Sequence, residues 1–77
     1  MVDRIMIDSQ TEMYPGDLLQ VKDRERKAYT LKYEGHKGKY AVLKQMGRNT
    51  IKIFEVETSM VPVFMATTYR KFERVYK

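Results

Sequence analysis

Lysine and arginine are the side chains of this sequence best suited to chemistry, and they are concentrated in one part of it. Residues 22–52 hold ten basic and three acidic residues, a net +7, against −3 for residues 1–21 and +1 for residues 53–77. A pole of this kind attracts an anionic partner, and nucleic acid is the commonest one. Lys37 and Lys39 flank Gly38, a turn residue, so their amines project freely and a backbone amide can also approach a phosphate. Lys44, Arg48 and Lys52 follow on the adjacent hairpin, and Arg24, Arg26 and Lys27 come from an earlier charged loop. Tyr29, Tyr33 and Tyr40 are interleaved with these bases. An exposed tyrosine there can stack a base, worth ~1–3 kcal/mol, but a small core also needs large side chains, so at least one of the three is expected inside. The candidate nucleic-acid-binding set is Arg24, Arg26, Lys27, Lys37, Lys39, Tyr40, Lys44, Arg48 and Lys52.

Other chemistries find little footing. His36 is the single histidine, and with Glu34 and Lys37 beside it no set of three or four converging metal ligands is indicated. Between Gly35 and Gly38 it reads as a solvated turn residue. Glu55 and Glu57 share a strand face without another acid or base beside them. No Ser-His-Asp or Cys-His spacing and no phosphate loop is apparent. The expectation is a non-enzymatic protein with no catalytic residues, no metal and no cofactor.

The elements that must carry these residues are mostly strands. Tyr29, Leu31 and Tyr33 alternate with Thr30, Lys32 and Glu34, the period of a half-buried strand. Gly35 and Gly38 bracket the following turn, since glycine takes the positive φ that hairpins demand. Residues 40–46 resume the extended pattern, Gly47-Arg48-Asn49 turns again, and residues 50–57 form the next strand. In that strand Ile51 and Ile53 occupy one face and Phe54 and Val56 the other, a phase change expected to mark a bulge. Tyr14-Pro15-Gly16-Asp17 is a strong turn signal opening a strand over residues 18–22. Residues 60–66 (MVPVFMA) read as a further strand, at an edge or bulged because Pro62 cannot donate to a ladder. Tyr69, Phe72 and Val75 or Tyr76 recur every three to four residues, which predicts one helical turn near residues 67–74 with Arg70, Lys71 and Arg74 outermost. The predicted core is Leu19, Val21, Leu31, Val42, Ile51, Ile53, Val63 and Phe72. Met46, Met60 and Met65 are expected to fill gaps in it, and Met6 and Met13 to lie on an adaptable partner surface.

Seventy-seven residues bound this to one small domain, read as an N-terminal arm or short strand over 1–13 and a β module over 14–77. Hydrophobic residues at 43% and charged residues at 32% are a globular composition. The absence of cysteine excludes disulfides and makes a reducing cytoplasm the default setting. No apolar run approaches the ~20 residues that span a bilayer, and the acids within MVDRIMID argue against a signal peptide, so no membrane partner is expected.

With the strands placed, PGDLLQVK, YEGHKGKYAVLKQ and NTIKIFEVE resemble the SH3-like barrel in its KOW-type form. Gly38 in His36-Lys37-Gly38-Lys39 stands at the position of the characteristic glycine after basic residues, and Tyr40 and Val42 begin the alternating strand; Ala41 stands where many such modules carry a second glycine. The resemblance implies an all-β, small five-stranded SH3-like barrel with one short C-terminal helical turn, in which the Arg24–Lys27 loop approaches the rim bearing Lys37 and Lys39. It implies binding of DNA or RNA; the hydrophobic edge strand expected at residues 60–66, open to strand addition, gives the alternative of a small adaptor or inhibitor that docks on a larger protein. A stand-alone module of this type suits a phage or mobile-element protein.

Overall fold

A computed structural model describes residues 3–74; Val2, Val75 and Tyr76, which the sequence reading includes in its terminal segments, lie outside the described residues. The elements run β1 (Ile5–Met6), β2 (Glu12–Met13), β3 (Leu18–Asp23), β4 (Ala28–Lys37), β5 (Tyr40–Met46), β6 (Ile51–Glu57), a 3-10 turn (Thr58–Met60), α1 (Val61–Thr68) and β7 (Tyr69–Arg74). Strands β3 to β7 form one antiparallel sheet in the order β6-β5-β4-β3-β7, and β1 pairs with β2 as a separate ribbon. The fold is thus mostly β with one short helix.

The expected meander is present. Tyr14–Asp17 closes as a turn, Asp17 donating its amide to the Tyr14 carbonyl at 2.9 Å, and β3 pairs with β4, β4 with β5 and β5 with β6. One face of the sheet is closed. Leu19 and Val21 of β3, Leu31 and Tyr33 of β4, and Ala41 and Leu43 of β5 point to the interior. Val61 and Met65 of α1, Tyr69 of β7, and Ile5, Ile7 and Met13 of the N-terminal ribbon cover them. Residues 1–13 therefore include part of the core, and Met13 is fully buried and does not lie on a partner surface.

Four expectations are corrected, each for a physical reason. First, residues 60–66 are not a strand. They form the end of the 3-10 turn and most of α1, with Pro62 in the first turn, where its fixed φ suits a helix and its missing N–H is not needed. Val61 and Met65, four apart, are the buried pair, while Val63 and Met60 stay exposed. Second, residues 69–74 are strand and not helix. Val21 pairs with Phe72 and Asp23 with Tyr69, with a register shift between Lys22 and Asp23. The extra residue, Arg70, lets Tyr69 and Phe72 both face the core although they are three apart, which is how a bulge imitates helical spacing.

Third, no register shift interrupts β5–β6. Phe54 and Val56 pack against the core, and Ile51 and Ile53 are 66% and 60% exposed on the other face. Val42 likewise faces outward, half-buried, because Ala41 and Leu43 hold the inward positions. Fourth, β4 does not end at Gly35. It runs on to Lys37 through a bulge between Tyr33 and Gly35, with φ +115° at Gly35, and the turn is the pair Gly38-Lys39 alone. Gly47 is required for space instead of φ: a Cβ there would lie 2.7 Å from Thr50 Oγ1 and 2.9 Å from the Tyr29 ring.

Leu43→Ala should cost about 2–5 kcal/mol by the loss of buried methyl groups, whereas Ile53→Ala should fall within about 0.5 kcal/mol of the parent. Denaturant midpoints of the two variants check the direction in which β5 and β6 face. Gly47→Ala should destabilise by about 1–3 kcal/mol through forced movement of Tyr29, read in the same experiment.

Candidate nucleic-acid interface

The register divides the basic residues between two ends and two faces of the sheet. Lys37, Lys39 and Tyr40 lie at the β4–β5 turn. Arg24, Arg26 and Lys27 lie in the β3–β4 loop at the other end of β4, and Arg48 in the β5–β6 loop is at that same far end. Ten residues of strand span up to roughly 30 Å, so the rim expected to unite Arg24–Lys27 with Lys37 and Lys39 does not form. Lys52 pairs with Gln45, whose side chain accepts the Tyr69 hydroxyl proton at 2.6 Å. It therefore belongs to the inner side of β6, where its ammonium lies 5.4 Å from the Phe54 ring centroid. Lys44, opposite Ile53, is on the outer face.

Several of these cations already have partners. Arg24 donates to the carbonyls of Ala66 at 2.5 Å and Thr67 at 3.4 Å, satisfying carbonyls at the C-terminal end of α1, where a cation also suits the helix dipole. Lys37 reaches Glu55 at 3.5 Å, and Lys39 sits 5.6 Å over the ring of Tyr40. Glu34 and Glu57 add further negative charge to that end of the sheet. Arg26 adopts φ +68° in a loop organised by Asp23, whose carboxylate accepts the amides of Glu25 and Lys27, both at 2.9 Å. Of the three tyrosines, Tyr33 is buried, Tyr29 half-buried and Tyr40 exposed.

What sequence spacing did not reveal is a second set of lysines brought together by strand pairing. Lys22 on β3 is directly opposite Lys71 on β7, and Lys32 on β4 is directly opposite Lys44 on β5. All four point to the outer face. Like charges so placed repel. Lys32 has Glu34 at 3.8 Å, but among the described residues Lys22 and Lys71 take part in no ion pair. Beside them is a shallow groove of about 470 Å³, lined by Lys22, Lys71 and Arg48 with Gln20, Thr30 and Glu73. The groove carries three cations against one carboxylate, with an amide and a hydroxyl able to donate to an oxyanion. Lys22 and Lys71 lie in elements far apart in the chain, and only the register joins them.

His36 is not a solvated turn residue. The β4 bulge turns it inward, where its ring meets Tyr33 edge-on at 5.8 Å between centroids. Its Nδ1 contacts the Asp3 carboxylate and lies 2.6 Å from the Tyr33 hydroxyl, and its Nε2 lies 2.9 Å from Thr58 Oγ1. The Asp-His-Thr order looks like a nucleophile chain, but Thr58 donates its hydroxyl proton to the Lys39 carbonyl at 2.9 Å, and its amide donates to the same oxygen at 3.1 Å. Thr58 Oγ1 thus bridges the Lys39 carbonyl and His36 Nε2, and the group acts as a clasp between the N-terminus, the β4–β5 hairpin and the 3-10 turn. Among the described residues no three His, Asp or Glu side chains gather as metal ligands, and no helix is long and apolar enough to cross a membrane.

No protein-family model, curated protein or solved structure matches this chain.

Burial, reinforced by the Asp3 carboxylate, pushes the Tyr33 hydroxyl from the ordinary 10.0 up to about 12, and burial raises Tyr69 further. The folded state thus holds these protons more tightly than the unfolded chain. Their contribution to stability is complete below pH 10 and is lost as pH rises, for Tyr33 over the interval to about 12. Denaturant unfolding across this interval should show a declining midpoint, with a shallower decline in Tyr33→Phe.

Proposed function

We propose that this chain is a non-enzymatic module that binds nucleic acid through its phosphate backbone, using the outer face of the five-stranded sheet. The observation that carries this is the Lys22–Lys71 pair, two directly opposed cations without an ion-pair partner among the described residues, with Arg48 across the same groove. Such repulsion costs stability in the free protein and is relieved by a phosphate between the amines. Lys32 and Lys44 extend the positive face, and Arg26 and Lys27 border it at the loop end. The clasp at His36 supports a structural role there, since its ring and its hydroxyl partner tie together three segments of the chain. The order β6-β5-β4-β3-β7, in which the last strand returns to the first strand of the sheet, supports reading the fold as a bent SH3-like module. Strand addition at residues 60–66 loses its support, because that segment is helical and half of it faces the core.

Phosphate neutralisation releases counterions, so affinity should fall steeply with salt. Lys22→Ala with Lys71→Ala should weaken binding to every sequence and flatten the log–log salt slope by about 1 to 2. Lys37→Ala with Lys39→Ala should have the smaller effect, because Glu55 already engages Lys37. Fluorescence anisotropy with a labelled oligonucleotide at several salt concentrations measures both. Binding no tighter than that of an unrelated protein of equal charge would remove the proposal.

A further inference from the structure

The outer face is not uniformly polar. Along β5 its outward residues are Tyr40, Val42, Lys44 and Met46, and along β6 they are Ile51, Ile53, Glu55 and Glu57. Register sets Met46 opposite Ile51 and Lys44 opposite Ile53. An apolar strip of exposed Ile51 and Ile53 and half-buried Met46 therefore runs along the β5–β6 edge of the sheet and touches the Lys32–Lys44 pair, with the Lys22–Lys71 pair on the other side of the sheet's midline. Two adjacent isoleucines left in water at the edge of a basic surface have no role in the core, since Phe54 and Val56 supply the inward contacts of β6.

Resting on the nucleic-acid reading above, we propose that the ligand of this face is single-stranded, its phosphates held by Lys22, Lys71, Lys32 and Lys44 and its bases laid against Ile51, Ile53 and Met46. A single strand has both parts that the face offers places for: a polyanionic backbone and unstacked bases with large apolar faces. A duplex keeps its bases in the stack, and a sheet face can reach only its phosphates, leaving the isoleucines unused. A second copy of the chain would set the Lys22–Lys71 and Lys32–Lys44 pairs of two molecules on one interface, a repulsion that Glu55 and Glu57 only partly offset, whereas a polyanionic strand is attracted by all four lysines. Contact is by apolar packing and not by base-edge hydrogen bonds, so the preference for bases should be general and the preference for sequence weak.

The test compares three labelled probes of equal length at low salt: a single-stranded oligonucleotide, an abasic strand with the same phosphates, and a duplex. The parent protein should bind the base-bearing strand roughly tenfold more tightly than the abasic one, the gain expected from burying about 55 Å² of apolar surface at about 25 cal/mol per Å². Ile51→Ser with Ile53→Ser should abolish that difference while leaving abasic affinity unchanged. Circular dichroism and a thermal melt confirm that the variant folds, as exposed positions permit. Equal parental affinity for abasic and base-bearing strands, or tighter binding of the duplex, would overturn the single-strand inference and leave phosphate binding standing. Failure to bind any of the three would instead overturn the nucleic-acid reading itself. A dimer in sedimentation velocity that dissociates on the isoleucine substitutions would assign the strip to self-association and overturn the inference.

Discussion

A sheet of five strands exposes two faces, and among the described residues the other segments of this chain cover only one of them. The cover is assembled from segments far apart in sequence: Ile5, Ile7 and Met13 from the start, Val61 and Met65 from α1, and Tyr69 from β7. They meet over Leu19, Val21, Leu31, Tyr33 and Leu43, and their burial supplies the main driving force for the fold. The interactions around them serve the same arrangement. Arg24 anchors the end of α1, Arg74 donates to the Glu12 carbonyl at 2.5 Å, and the His36 clasp ties Asp3 to Thr58. The uncovered face is free to carry charge.

Two bulges give the covered face its shape. One re-aims His36 inward and the other lets Tyr69 and Phe72 share a side of β7. Each inserts one residue and changes the side-chain period locally from two to three. Bulges bend a strand and increase its twist, which helps a small sheet wrap around its cover.

The same bulges explain where the sequence was legible and where it was not. The Pro15-Gly16 turn, the Gly38 turn and the alternation of Leu19 with Val21 and of Leu31 with Tyr33 are local signals, and the meander follows from them. The 69–74 segment misled because one extra residue reproduces helical spacing. The 60–66 segment misled because its two valines and Pro62 suggest a bulged edge strand, while the helical signal is only a Val61–Met65 pair and a proline at a helix start. In β6, Ile51 and Ile53 are the more β-prone pair, yet Phe54 and Val56 fill the interior, a choice fixed by what α1 presents to them. Lysines at positions 22 and 71 become neighbours only by long-range pairing, which no local pattern announces.

The return of β7 to β3 also bears on how the molecule acquires its shape. Leu19 lies beside Arg74, fifty-five positions further along, whereas every pairing from β3 to β6 joins consecutive strands. Closing so long a loop costs chain entropy that hairpins largely avoid. The meander is therefore favoured by local pairing, and the pairing that creates the Lys22–Lys71 site carries the larger entropic cost. A chain with only the meander formed would display the hairpin lysines without the groove, because Lys71 and Glu73 reach it only through β7.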